Sequence, residues 1–293
     1  MRNRLRRAKA SRLNLLLPGM AATALLVIGA PADANHSWNG YHWARSSTTS
    51  FTVTVGSNVN ANWLAYVQNA VGSLNQSNSS GGYWSLPSYS AGGVTVYNPV
   101  RTKLVTGSTT PRTCKPKAGT VQTCNASYGF TGWLGVAQVW TSGSHITQAT
   151  VKLNDSYFNL STYNTPDWRA TVTCQEIGHT FGLDHQDENQ TNPDLQDANG
   201  TQTCMDYTSW PQGNGQPNFH DYEELGIIYS HADSSTTLAA PSVAVAGDTP
   251  GQWGRAVAFT HDGRGSVFEA MSAGDKITTF VFWAPGKGTS GRP

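Results

Sequence analysis

The sequence predicts an α+β protein, on three observations. A short alternating run near residue 51 is followed at once by an amphipathic helical pattern. Two strand-forming runs occupy the centre of the chain, and two helical segments in the second half precede three more short strand-like runs.

In chain order, residues 1–34 read as an export signal. A basic start (Arg2, Arg4, Arg6, Arg7, Lys9, Arg12) leads into an apolar stretch from Leu13 to Ala30 and the small-residue pattern Ala32-Asp33-Ala34. Pro18, Gly19 and Gly29 interrupt that stretch, which favours a removed signal over a membrane anchor. Phe51 to Val55 alternates as a strand. Asn60 to Leu74 then sets Trp63, Leu64, Val67, Val71 and Leu74 at helical spacing. A Ser/Gly-rich loop at 78–82, a strand at Gly93 to Tyr97 and a loop bounded by Cys114 and Cys124 come next. Trp133 to Trp140 and Ile146 to Leu153 are two further strands. A helix is expected from Pro166-Asp167 to Gly182, then a polar loop from His185 to about Thr203, and a last helix over His220 to His231. Residues 234–251 read as a linker. Trp253 to Thr260, Ser266 to Met271 and Ile277 to Trp283 are expected as a small β-meander, within a 252–293 extension that docks on a main domain of residues 35–233.

The chain carries 19 basic and 18 acidic residues, and removal of the signal leaves 13 against 17. A mature protein at net −4 has no electrostatic footprint for nucleic acid, and no later stretch is apolar enough to span a bilayer. Its four cysteines fit an oxidising compartment and two disulfides. Of three pairings, Cys114 with Cys124 and Cys174 with Cys204 is favoured, the second tying the motif helix to the segment with Met205.

The chemistry concentrates in Cys174-Gln175-Glu176-Ile177-Gly178-His179-Thr180-Phe181-Gly182-Leu183-Asp184-His185. In an H-E-x-x-H-x-x-G-x-x-H site, two histidines one helical turn apart face one ion, and a glycine reverses the chain so that a third histidine reaches it. Every element stands here at that spacing except the first histidine, whose position holds Gln175. The segment resembles the motif helix of the metzincin clan of zinc peptidases, and Gly178, Leu183 and Asp184 resemble its matrixin branch. Cys204-Met205-Asp206-Tyr207 is similar to the clan's methionine turn, with Tyr207 where the astacin and serralysin branches carry a tyrosine. The His185-to-Met205 loop is longer than in matrixins, so the resemblance is to the clan. It covers about residues 50 to 232.

That resemblance implies a zincin-like fold of twisted sheet, long helix, motif helix, methionine turn and final helix. It also implies a secreted zinc endopeptidase acting on peptides or proteins, with His179, His185 and Gln175 holding zinc. Glu176 would be the general base, Tyr207 would stabilise the transition state, and Met205 would pack under the site. Leu134 to Val139 would be an upper-rim strand that binds peptide by strand addition. The chain is expected to be a monomer, free of nucleic acid and, once the signal is removed, of membrane. About 15 residues between the signal and the first strand leave little room for a folded propeptide.

A neutral amide oxygen is a weaker zinc partner than an imidazole nitrogen, so Gln175 keeps open a catalytically impaired relative of the same fold. Calcium could be held by the acidic loop of Asp187, Glu188, Asp194 and Asp197, which lacks an EF-hand pattern. His220 and Asp221 open the last helix, where a capping role is the ordinary one. Ten tryptophans, Trp38, Trp43, Trp84, Trp210 and Trp253 among them, raise a glycan-binding alternative against ordinary core packing.

Overall fold

The computed structural model describes residues 36–75, 81–237 and 246–286. The expected export signal therefore lies outside the described residues, as do parts of the Ser/Gly-rich loop and of the linker.

The chain is a mixed α+β protein built on one eight-stranded sheet. Its strands are β1 (Phe51–Asn58), β4 (Val100–Thr106), β5 (Thr120–Ala126), β6 (Trp133–Ser142), β7 (His145–Asn154), β8 (Arg255–Phe259), β9 (Gly265–Ser272) and β10 (Asp275–Trp283). The order across the sheet is β4-β1-β5-β7-β6-β10-β9-β8. The first four are parallel neighbours, and from β7 onward every pairing is antiparallel. A separate hairpin joins β2 (Ser88–Ala91) to β3 (Val94–Tyr97).

The centre of the sheet is covered on both faces, so β6 and β7 are buried along nearly their whole length. Alternation sorts their contacts. Ala137, Val139, Phe280 and Phe282 join the main core with the helices, while Val136, Val281 and Trp283 join a second core with Tyr128, Trp133, Trp253 and Phe268.

Helix α1 (Ala61–Val71) buries Trp63, Val67, Ala70 and Val71 and stops at Gly72, so Leu74 falls beyond it and bridges to Leu104. A single turn, α2 (Asp155–Phe158), follows β7. Helix α3 (Pro166–His179) starts where its sequence says it should. The Thr165 hydroxyl accepts from Trp168 N–H, Pro166 needs no amide partner, and Asp167 sits in the first turn. It ends at His179, three residues short of the expected Gly182, because the chain already turns at Thr180. Helix α4 (Phe219–Ile228) opens on a capping box of Asn218 and Asp221, so the cap belongs to those two and not to His220.

Two strands went unforeseen between 100 and 126. β4 and β5 read VRTKLVT and TVQTCNA; Thr102 of β4 and Gln122, Thr123 and Asn125 of β5 are polar yet buried in the sheet, which hides the alternation. The three C-terminal strands do form an antiparallel meander. β10 carries it into the main sheet beside β6, and the described residues fall in one compact unit. Both expected disulfides are present, Cys114–Cys124 and Cys174–Cys204.

Candidate metal centre

Gln175 and His179 lie one turn apart on α3 and share a face. After His179 the chain reverses at Gly182, whose φ of 99° belongs to the left-handed region and whose missing side chain leaves room for the Tyr41 carbonyl. The reversal brings His185 back to His179, ring centroids 4.6 Å apart and edge to face. The residues ahead of the first strand fix this turn: Trp38 N–H donates to Gly182 O (2.9 Å) and Asp184 N–H to His36 O (2.5 Å).

Each candidate ligand is held from behind. His179 Nδ1 is 2.9 Å from the Leu183 carbonyl and His185 Nδ1 is 3.1 Å from Glu188 Oε1, so both rings carry the proton on Nδ1 and leave Nε2 bare. The Gln175 amide nitrogen donates to the carbonyls of Cys204 (2.8 Å) and Asp206 (3.0 Å), which leaves its oxygen as the free end. His179 Nε2, His185 Nε2, Gln175 Oε1 and both Glu176 carboxylate oxygens are buried without a hydrogen-bond partner. Buried polar atoms in native proteins are normally paired, so a group of them on neighbouring residues asks for water, an ion or a catalytic role.

The floor is the turn at Met205. A side chain on Gly178 would lie 2.6 Å from Met205 Sδ and 2.7 Å from the Trp84 ring, so only glycine lets the helix settle on the methionine. Gly135 of β6 plays the same part for Glu176, whose Oε1 would be 2.7 Å from an added Cβ.

Burial pushes the Glu176 carboxyl well above the usual carboxylate range; the N–H groups of Phe282 and Ala137 counter it only weakly, neither forming a hydrogen bond of ordinary geometry. Burial, with the neighbouring His185, lowers His179 well below its usual value. For His185 burial works downward, but the charge and hydrogen bond of Glu188, with Asp184 and Asp206, outweigh it and raise the ring. Burial raises Asp184 to about 6 and Asp206 to about 7.

β6 packs directly against α3, and its outer edge is taken by the chain itself. β10 pairs with β6 from Lys276↔Thr141 through Phe280↔Ala137 to Trp283↔Trp133. Phe280 lies flat on His179, centroids 4.2 Å apart at 7°. The Tyr207 ring stands edge to face on His185 (5.1 Å) and stacks on Phe282 (5.3 Å). Its hydroxyl donates to Val281 O (3.1 Å) and accepts from Trp283 N–H (2.7 Å). The expectation that Leu134 to Val139 offers a free edge to peptide is thus overturned, because β10 occupies that edge.

Glu176, His179, His185 and Gln175 are brought together, with Met205 beneath them and Tyr207 beside them. Sequence reasoning did not find Glu188 as the partner of His185, although its position three residues on was a signal. It also missed Phe280 and Phe282, which carry no local signal. His36 was missed too: its Nε2 lies 3.5 Å from Asp221 Oδ1, and burial, with His220 and His185, lowers its pKa to about 3. His220 packs edge to face on His36 (4.7 Å) and does not join the centre. Ligand atoms of Asp184, His185 and Glu188 also gather, on the Nδ1 side of His185. Of the five tryptophans named above, Trp43, Trp84 and Trp253 are buried and only Trp210 is largely exposed, so they form no common platform.

Comparison with protein-family models, with curated proteins and with solved structures finds no match.

Proposed function

We propose that this chain is a secreted, metal-dependent endopeptidase of metzincin type whose cleft is covered by its own C-terminal strand. The observation that carries this reading is the set of bare, pre-aimed ligand atoms, His179 Nε2, His185 Nε2 and Gln175 Oε1, beside the unpaired Glu176 carboxylate. Two nitrogens and an oxygen, each oriented through its opposite end, suit zinc, and the Glu188–His185 contact is the kind of outer hydrogen bond that strengthens a histidine ligand. The element order of strand, helix, strands, motif helix, methionine turn and last helix supports the same reading. The two disulfides fit an oxidising compartment, and among the described residues no helix is long and apolar enough to cross a membrane.

When bound, zinc would polarise a peptide carbonyl and make water a better nucleophile. Glu176, its basicity raised by burial, would take the proton from that water and pass it to the leaving nitrogen. Tyr207 would donate its hydroxyl to the carbonyl oxygen as charge develops there, once Val281 and Trp283 release it.

The test is elemental analysis of the mature chain together with cleavage of a quenched peptide library. Zinc at the centre and cleavage that falls about 10²–10⁴-fold in Glu176→Gln, with metal retained, are expected. Undiminished cleavage in that variant would remove Glu176 from the chemistry.

A second reading, a catalytically silent relative, is favoured by β10 in the cleft and by Gln175. The variant Phe280→Ala/Phe282→Ala, which strips the aromatic cover from His179 and Tyr207, separates the two. A rise in turnover marks a latent enzyme, and a zinc-loaded, folded variant that cuts nothing marks the silent relative.

A further inference from the structure

A second group of histidines lies away from this centre, where the segment before β1 meets the chain that leaves α4. His42 Nε2 is 3.2 Å from His231 Nε2, and Asp233 Oδ1 is 3.2 Å from the first and 3.7 Å from the second. The other carboxylate oxygen of Asp233 is already committed, accepting from Arg45 N–H at 2.9 Å. His145, the first residue of β7, also reaches Oδ1, at 3.1 Å. His42 is held in place by the backbone, through Ile146 N–H to His42 O (2.7 Å) and His42 N–H to Ser144 O (3.1 Å).

The protons decide what this arrangement needs. His42 Nδ1 lies 2.7 Å from the Gly40 carbonyl, which fixes the proton of the neutral ring on that nitrogen. His42 Nε2 then presents a lone pair to a carboxylate oxygen at 3.2 Å, and beside both stands His231 Nε2, whose ring can donate a proton or, as the other tautomer, offer a third lone pair. Lone pairs facing one another repel, and a positive centre among them resolves the conflict. A proton on His231 Nε2 would serve the contact with His42 and leave the His42–Asp233 pair opposed. A metal ion would serve all three atoms together.

The size of the triangle agrees with an ion. Bonds of about 2.0–2.1 Å in tetrahedral zinc coordination separate neighbouring donors by roughly 3.3 Å. The three edges here are 3.2, 3.2 and 3.7 Å. Two imidazoles and one carboxylate suit zinc and its late first-row neighbours, and disfavour calcium or magnesium, which take oxygen ligands. The backing hydrogen bond from His42 Nδ1 to a carbonyl is the usual support of a metal-bound histidine, and His145 is placed to orient the carboxylate.

We infer that His42, His231 and Asp233 form a second metal site, taking one divalent ion of zinc type with a fourth position open to solvent at half-exposed His231. Such an ion staples the segment before β1 to the chain after α4. The site does not depend on the peptidase reading, because none of its residues belongs to the first centre.

The experiment strips the folded mature chain with a chelator and titrates it with zinc chloride alone, following heat and thermal midpoint. The wild type is compared with His231→Ala and with Asp233→Asn, whose circular dichroism and metal-free midpoints are first matched to it. The expected result is one more zinc equivalent in the wild type than in His231→Ala, at least tenfold weaker binding of that equivalent in Asp233→Asn, and a zinc-dependent rise in midpoint that shrinks in both. Equal stoichiometry and affinity in all three chains would overturn the inference and leave a hydrogen-bonded histidine cluster. Because the readout is the difference between chains, a failure of the first centre to bind zinc changes the total and not the outcome.

Discussion

Gln175 is held by its amide nitrogen and left free at its oxygen. Its amide nitrogen gives its two protons to the carbonyls of Cys204 and Asp206, so the oxygen has one direction left. Replacement by histidine supplies a better zinc donor and, at most, one N–H for two carbonyls. Gln175→His is therefore expected to bind zinc at least tenfold more tightly while losing about 1 kcal/mol of metal-free stability, read by zinc titration and by denaturant melts. Gly178 makes a separate prediction. A methyl there meets Met205 Sδ at 2.6 Å in a packed interior, so Gly178→Ala should cost about 1–3 kcal/mol of stability. An unchanged midpoint would mean that the methionine turn yields more easily than its burial implies. At this scale the sequence was informative where a residue acts through its neighbours in the chain, as in Gln175, Glu176, His179, Gly182 and His185. It said nothing of Gly135, whose partner Glu176 comes from another element.

Among the elements, α3 was legible because its start is written in three adjacent residues, Thr165, Pro166 and Asp167. Thr165→Ala should cost about 1 kcal/mol, measured as a shift in denaturant midpoint with an unchanged slope. β6 and β7 were legible from their apolar runs. β4 and β5 were not, because Thr102, Gln122, Thr123 and Asn125 are buried polar residues, Gln122 bonded to Asn58 and Asn125 to Asp155, and a pattern of apolar residues cannot register them. β10 was visible as a strand while its position was not. Strand propensity is local, whereas the pairing with β6 rests on register between distant segments, with Phe280 set against Ala137 and Phe282 against Gly135.

For the whole molecule, the segment that leads into the C-terminal strands is tied to the sheet through a buried cation. Lys152 of β7 is almost fully buried and bonds Asp248 Oδ1 at 2.8 Å, and Asp248 also pairs with exposed Arg112. Burial works to raise Asp248, but Lys152 and Arg112 together outweigh it and hold the carboxyl below the usual range. The folded carboxyl thus ionises more readily than the unfolded one. The stability it contributes is present above the unfolded value of about 3.9 and is lost as pH falls through the lower folded value. Asp248→Asn keeps the shape and removes the charge, leaving Lys152 uncompensated. A loss of about 3 kcal/mol at neutral pH is expected, with a weaker acid dependence of the unfolding midpoint. A midpoint that tracks acid in the variant as it does in the wild type would assign that dependence to other carboxylates.

The bond between Cys174 and Cys204 reaches further than the loop it closes. Cys174 precedes Gln175 in the helix, and the carbonyl of Cys204 is one of the two that aim the Gln175 amide. Reduction would loosen that carbonyl, leave the amide on the Asp206 carbonyl alone, and let the weakest of the three proposed ligands turn. Ion capture would then be gated by thiol oxidation: the reduced chain would exchange zinc readily, and the oxidised chain would retain it. Maturation and metal loading would become a single event, which a zinc-retention assay before and after mild reduction would detect as a faster off-rate in the reduced chain.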